Sequence, residues 1–260
     1  VVIAPDKFKG TLEASAVARA IAAGVREVRP DIVLDLAPVA DGGEGTAGCL
    51  MEALGGGLRP CNTVDALGRP VRADYVLLPD GTAVIELAAA SGLWRLAPGR
   101  RDPWHATTRG TGELILDAIR SGAARVWVGL GGSATNDGGA GLAAALGAQF
   151  LDADGRAFDP VPSELHRLAA LDTAALPVLP PFTILSDVRN PLLGPHGATR
   201  VFGPQKGVAQ GQVGRFERAL DRWAEVCAAH FGSDHRLTPG SGAAGGAGFA
   251  LLSVCAASIR

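Results

Sequence analysis

The sequence predicts an α/β fold built on a mixed sheet, and three observations carry that reading. Short apolar, β-branched runs alternate with segments whose apolar residues recur every three or four positions. One stretch breaks the alternation with a hairpin signal. Glycine-bearing polar segments follow several of the apolar runs, where open α/β sheets place their ligands.

The elements follow in order. Val1 to Pro5 is an apolar run that reads as a buried strand, and Thr11 can cap a helix in which Leu12, Ala16, Ala20, Gly24 and Val28 repeat every four residues. Pro30 ends that helix, because its ring cannot continue the hydrogen-bond ladder. Ile32 to Val39 reads as a second strand, followed by the turn-like ADGGEGT and a helix to Leu54, stopped by Gly55 to Gly57. Between about residues 58 and 92 the apolar runs near Tyr75 and Ile85 are separated by PDG, a hairpin signal rather than a helical crossover. Thr108 or Thr111 then caps GELILDAIRSG, with Leu114, Ile115, Ala118 and Ile119 as its apolar face, and RVWVGL follows as a buried strand.

Composition narrows the function classes. The 260 residues are 47% hydrophobic, enough for a sizeable core. The formal charge of −2 and the absence of a clustered basic stripe give no field to attract nucleic acid or an anionic membrane, so a small-molecule partner is expected. Cys49, Cys61, Cys227 and Cys255 form no C-x-x-C pair and read as reduced thiols, and the five histidines lack metal-ligand spacing. Neither a spanning apolar run nor a signal-peptide pattern is present, so a cytoplasmic location is expected.

The segment GLGGSATNDGGAGLAAALGA compresses a strand end, a tight loop and a helix start. Glycines let main-chain N–H groups crowd toward one point, and a helix N-terminus adds partial positive charge; together these bind phosphate. On that reading Gly131, Gly132, Ser133, Ala134, Thr135, Asn136, Gly138 and Gly139 hold nucleotide phosphates, and Asp137 is a candidate Mg²⁺ ligand. The alternative is a glycine-rich turn that packs a helix tightly on its strand. No Walker lysine motif is present, and no G-x-G-x-x-G turn follows the first strand, which disfavours a dinucleotide oxidoreductase.

The ordered set APDKFKGTL, PVADGGEGT, AVIELAAASGL, TTRGTGELI, GLGGSATNDGGAGL, SDVRNPLLGPHGATRVFGPQKG and PGSGAAGGAGFALL resembles the type I glycerate kinase family from residue 1 to about 252. The resemblance implies ATP-dependent phosphorylation of D-glycerate, with 2-phosphoglycerate favoured over 3-phosphoglycerate as product and Mg²⁺ as the metal. It also implies two α/β domains. Residues 1–56 are the N-terminal part of a flavodoxin-like, discontinuous parallel-sheet domain. Residues 57–260 are an inserted domain with the mixed sheet and the phosphate loop. Family members continue beyond the point matching Arg260 with a TGEG-bearing stretch and more parallel strands, so 1–56 are expected to supply only two strands of the first sheet. Another small-molecule kinase of the galactokinase, homoserine kinase and mevalonate kinase type also uses a GLGGSA-like loop, and a non-catalytic binder of small phosphorylated acids would keep the loop without a base. A homodimer is compatible with the chain.

Roles for the remaining polar residues follow from phosphoryl transfer, which asks a protein to position two reactants and neutralise spreading charge. Asp187, in the family's Asp-x-x-Asn-Pro position, is the candidate base for the glycerate hydroxyl. Lys206 and Lys7 are candidate catalytic cations, since a compact ammonium suits a small anionic site in a chain whose other positive charge, Lys9 apart, is arginine. Lys9, Asp41, Glu44, Arg109 and Asn190 are assigned to substrate, with Arg109 on the glycerate carboxylate; a surface salt bridge for Arg109 and turn chemistry for the acids are the alternatives.

Overall fold

The structure is a computed structural model and describes residues 1–8 and 11–260. Lys9, one of the expected substrate contacts, lies outside the described residues.

The chain opens with β1 (Val2–Ile3), α1 (Ala14–Val28), β2 (Asp35–Leu36) and α2 (Thr46–Leu54). β1 and β2 pair in parallel, and α1 lays Ala18 and Ala22 on Ile3. Thr11 does not cap α1; its hydroxyl donates to the Phe8 carbonyl and Glu13 occupies the cap position without a side-chain bond. The regular second strand, Asp35–Leu36, is shorter than Ile32 to Val39, although the Ala37 and Val39 amides still donate to the Ile3 and Pro5 carbonyls.

The hairpin signal is met. β3 (Gly57–Val64), β4 (Pro70–Leu77) and β5 (Thr82–Glu86) form an antiparallel meander, with PDG turning the chain between β4 and β5. After α3 (Leu87–Ser91) and α4 (Arg109–Arg120), β6 (Arg125–Gly129) joins β5 in parallel. α5 (Ala140–Leu146) follows the glycine loop, and β7 (Gln149–Leu151), β8 (Ala157–Phe158) and β9 (Ala170–Asp172) form a small antiparallel sheet of their own. β10 (Phe182–Leu185), α6 (Ala198–Phe202), α7 (Val213–Phe231), α8 (Ala243–Cys255) and β11 (Ser258–Ile259) complete the chain. The central sheet has the order β11-β10-β6-β5-β4-β3, parallel from β11 to β5 and antiparallel beyond.

Both faces of this sheet are covered, which is why TAVIE and RVWVG read as nearly continuous apolar runs. On one face Ile85, Val126, Val128 and Ile184 pack with α4, α5, α7 and α8; Trp223 is fully buried there, and its Nε1 donates to the Gly138 carbonyl at 2.9 Å. On the other, Leu50 and Met51 of α2 pack on Val76, Leu78 and Val84. A carboxylate fixes that helix: Glu86, at the end of β5, accepts the Ala47 amide at 2.8 Å, and burial pushes its carboxyl above the ordinary range. This contact holds the loop of residues 41–45 over the carboxyl ends of β6 and β10.

All four cysteines are free thiols. Among the described residues no helix is long and apolar enough to cross a membrane.

Candidate active site

The carboxyl ends of the parallel strands open into a cleft of about 620 Å³. Its walls come from four loops far apart in sequence: Lys7 after β1, Asp41, Gly43 and Glu44 after β2, Gly131 to Ser133 after β6, and Ser186 and Asp187 after β10. Lys206 closes the back from the turn that follows α6, and Arg101 lines the cleft as well.

Backbone crossing explains the glycines in two of these loops. The Gly131 amide donates to the Gly42 carbonyl at 3.1 Å, and a Cβ on Gly131 would collide with Gly43 Cα. Only glycine permits that approach, so DGG and LGG serve to bring the two loops into contact. A side chain at Gly132 would run into the Glu44 carboxylate, 2.6 Å from its Cβ position. The amides of Gly132 and Ser133 donate to no main-chain carbonyl among the described residues.

Among the described residues three cations stand against this polar floor. The Lys7 ammonium bonds Asp41 at 2.8 Å and the Glu44 carbonyl at 3.0 Å. Burial opposes ionisation of Asp41, but the Lys7 ammonium and the Gly43 amide outweigh it and hold that carboxyl below the usual range. Lys206 is 2% exposed, with Nζ donating to Ser133 Oγ at 2.8 Å and to the Thr135 carbonyl at 2.6 Å. Desolvation brings its pKa down to about 7, opposed by the negative charge of Asp137. Arg101 donates from Nη1 to the Gln205 carbonyl at 2.9 Å.

The structure therefore brings Lys7, Asp41, Glu44, Gly131, Gly132, Ser133, Asp187 and Lys206 to one cleft. It separates the others. Thr135, Asn136 and Asp137 are wholly buried and Ala134 is 2% exposed, and none of the four lines the cleft. Here the loop is packing: the Gly138 amide donates to the Gly245 carbonyl at 3.0 Å, the Gly139 amide to Asp137 at 3.1 Å, and the Ala134 amide to the Ser91 carbonyl at 2.9 Å. Gly138 has φ +66°, and a Cβ there would lie 2.6 Å from the Trp223 ring. Of the residues read as a phosphate loop only Gly131 to Ser133 line the cleft, and the tight-turn alternative describes the remainder.

Asp137 is corrected as a metal ligand. Its carboxylate accepts the Thr108 amide at 2.7 Å, the Thr108 hydroxyl at 2.8 Å, and the amides of Gly139 and Gly141 at 3.1 and 3.2 Å. Burial pushes its carboxyl up and these donors oppose the push; with every oxygen engaged inside the core it offers a metal no open position. Asp137 instead ties the starts of α4 and α5 together.

Arg109 is corrected as well. Its side chain is 56% exposed, pairs with Glu113 at 3.0 Å and Asp159 at 3.9 Å, and lines a different depression beside His105 and Thr107. The four-residue spacing to Glu113 is a helical ion-pair signal present in the sequence. Asn190 does not line the cleft; its amide donates to the His196 carbonyl at 2.7 Å and its own carbonyl accepts the Gly242 amide at 2.9 Å, which fixes the loop after β10. Arg101, within GRRDPW, carried no pattern that marked it.

The chain is similar to known proteins along its whole length. The family model described as "Glycerate kinase family" matches residues 1–260. The chain is 45% identical to the glycerate 2-kinase of Escherichia coli K12 and 44% identical to the glycerate kinase of Bacillus subtilis 168; in each case the match covers 100% of this chain and 69% of the relative. A crystal structure assigned to glycerate kinase 2 of Salmonella typhimurium LT2 superposes with a TM-score of 0.91 at 44% identity, covering 100% of this chain and 71% of that one.

Proposed function

This chain belongs to the glycerate kinase family, and we propose that its cleft transfers the γ-phosphoryl group of ATP to the 2-hydroxyl of D-glycerate, giving 2-phosphoglycerate and ADP. The observation that carries the proposal is the meeting of a desolvated lysine, a glycine loop and an exposed carboxylate: Lys206, Gly131 to Ser133 and Asp187 line one cleft. The 2-hydroxyl is supported by the name of the Escherichia coli relative. A kinase of the galactokinase type is not favoured, because the family match runs the whole length of the chain.

The chemistry follows from the geometry. Phosphoryl transfer passes through a loose transition state with charge spread over the equatorial oxygens, so positioning and neutralisation dominate. The Gly132 and Ser133 amides receive phosphate oxygens of the nucleotide. Lys206, held by Ser133 and Thr135, presents its ammonium to the transferring group from a site that water does not screen. Asp187 accepts the hydroxyl proton as the new P–O bond forms. Lys7 is held by Asp41 at the other wall and adds a second positive charge.

Mg²⁺ fits the donor chemistry of the cleft, since it takes one or two carboxylates together with substrate phosphates and waters. Glu44, whose carboxylate lies against Gly132, is the residue that would hold it, and the ion would neutralise charge on the phosphate oxygens.

Coupled release of ADP on adding D-glycerate, ATP and Mg²⁺ tests the reaction, and phosphorus NMR of the product tests the position. Absence of glycerate-dependent ADP release refutes the kinase reading; a 3-phosphoglycerate product refutes the regiochemistry alone.

A further inference from the structure

We propose that Arg101 binds the carboxylate of the acceptor and sets the preference for a hydroxy acid over a neutral polyol. The inference rests on the phosphoryl-transfer reading above and names the acceptor end of that site.

Among the described residues the cleft holds three cations, and two are already committed. Lys7 is ion-paired with Asp41, and Lys206 is buried between Ser133 and Thr135. Arg101 has no carboxylate within ion-pair distance among the described residues. Its one bond runs from Nη1 to the carbonyl of Gln205, the residue before Lys206, so the guanidinium and the buried ammonium hang from the same turn. Arg101 Nε is shut off from solvent and has no hydrogen-bond partner. A guanidinium on the wall of the cleft with no carboxylate of its own leaves a charge for an anionic ligand to neutralise.

The geometry of the guanidinium states which acceptor. With Nε shut off from solvent and Nη1 giving one N–H to Gln205, the Nη1–Nη2 end of the guanidinium is the one a molecule in the cleft can reach, and it carries parallel N–H donors. That fork matches the two oxygens of a carboxylate in one plane. Leu93, Leu96 and Phe202 line the same cleft, so the pair would form in a low-dielectric surrounding where it is strengthened. An acceptor without a carboxylate, such as glycerol, leaves the guanidinium charge unpaired in the cleft and is rejected on that account.

The test is steady-state kinetics of the full chain with D-glycerate, ATP and glycerol varied in turn, for the wild type, Arg101→Met and Arg101→Lys. In Arg101→Met the KM for D-glycerate is expected to rise roughly 10- to 100-fold. The KM for ATP stays within about twofold, and the preference for glycerate over glycerol falls by the same factor as the glycerate KM rises. Arg101→Lys recovers only part of the loss, since an ammonium cannot make two parallel bonds. An unchanged glycerate KM overturns the proposal, and so does a rise confined to ATP, which would assign the arginine to a nucleotide phosphate. Calorimetric binding of D-glycerate needs no turnover and separates this idea from the kinase reading. Weaker binding to Arg101→Met or Arg101→Lys than to the wild type supports the carboxylate role, and equal binding overturns it even where transfer itself is absent.

Discussion

The buried ammonium of Lys206 makes the sharpest physical prediction, because a desolvated charge leaves a signature in the stability of the fold. An ordinary lysine titrates at 10.5 and the folded Lys206 at about 7. Below about pH 7 both folded and unfolded chains carry the proton, and the folded state bears the full cost of the buried charge. As pH rises from about 7 toward 10.5 the folded chain releases the proton first, so the unfolded chain binds more protons and folding stability increases with pH. At about 1.4 kcal/mol per pH unit, that window is worth roughly 5 kcal/mol when complete. Replacing Lys206→Met keeps most of the volume and removes the titration. Urea unfolding followed by circular dichroism at half-unit steps from pH 7 to 10 should therefore show the wild type gaining stability relative to the variant, with a slope approaching 1.4 kcal/mol per unit. Parallel stability curves for the two proteins would refute the desolvated-lysine argument, and with it the claim that Lys206 meets the transferring phosphoryl group in a water-excluded site.

Three further outcomes follow from the site. Asp187→Asn should lower kcat by about 10²-fold or more, the usual worth of a positioned base, while the KM values for both substrates stay close to wild type; an unchanged kcat removes Asp187 as the base. Asp137→Asn should cost about 3 kcal/mol or more in chemical denaturation, since the new amide group opposes N–H donors that the carboxylate accepts, and it should leave the half-saturating Mg²⁺ concentration where it was. A stable variant with a raised Mg²⁺ requirement would restore Asp137 as a metal ligand. Gly138→Ala should destabilise by about 2 kcal/mol or more, because the methyl group meets Trp223 and the backbone is left-handed there; unfolding within a few tenths of a kcal/mol of wild type would contradict the packing role.

The course of the chain was largely legible where local pattern and burial agree. The strand of RVWVG, the hairpin at PDG and the amphipathic face of Leu114, Ile115 and Ala118 all depend on periodicity, and the structure has each of them. The site was legible in part. Asp187, Lys206, Asp41 and Glu44 sit after predicted strands or in glycine segments, and they do reach the cleft. Asp137, Asn136 and Gly138 sit in the most conspicuous glycine segment and do not, because a glycine gives the same local signal whether the space it frees is filled by a ligand or by Trp223 and Gly245. Arg109 and Arg101 are eight residues apart with equal charge. Which of them faces the cleft depends on where α4 begins and on the turn at Gln205, neither of which is encoded near them.

The sequence by itself determined the α/β class, the mixed sheet and the ordered motifs that tie this chain to its family, because periodicity, turn residues and motif order are properties of consecutive residues. Only the tertiary structure decided which polar groups face one another. Burial and the partners of a charge are set by segments far away in the chain, as when the turn after α6 brings Lys206 to Ser133, 73 residues earlier, and leaves Asp137 sealed beneath them.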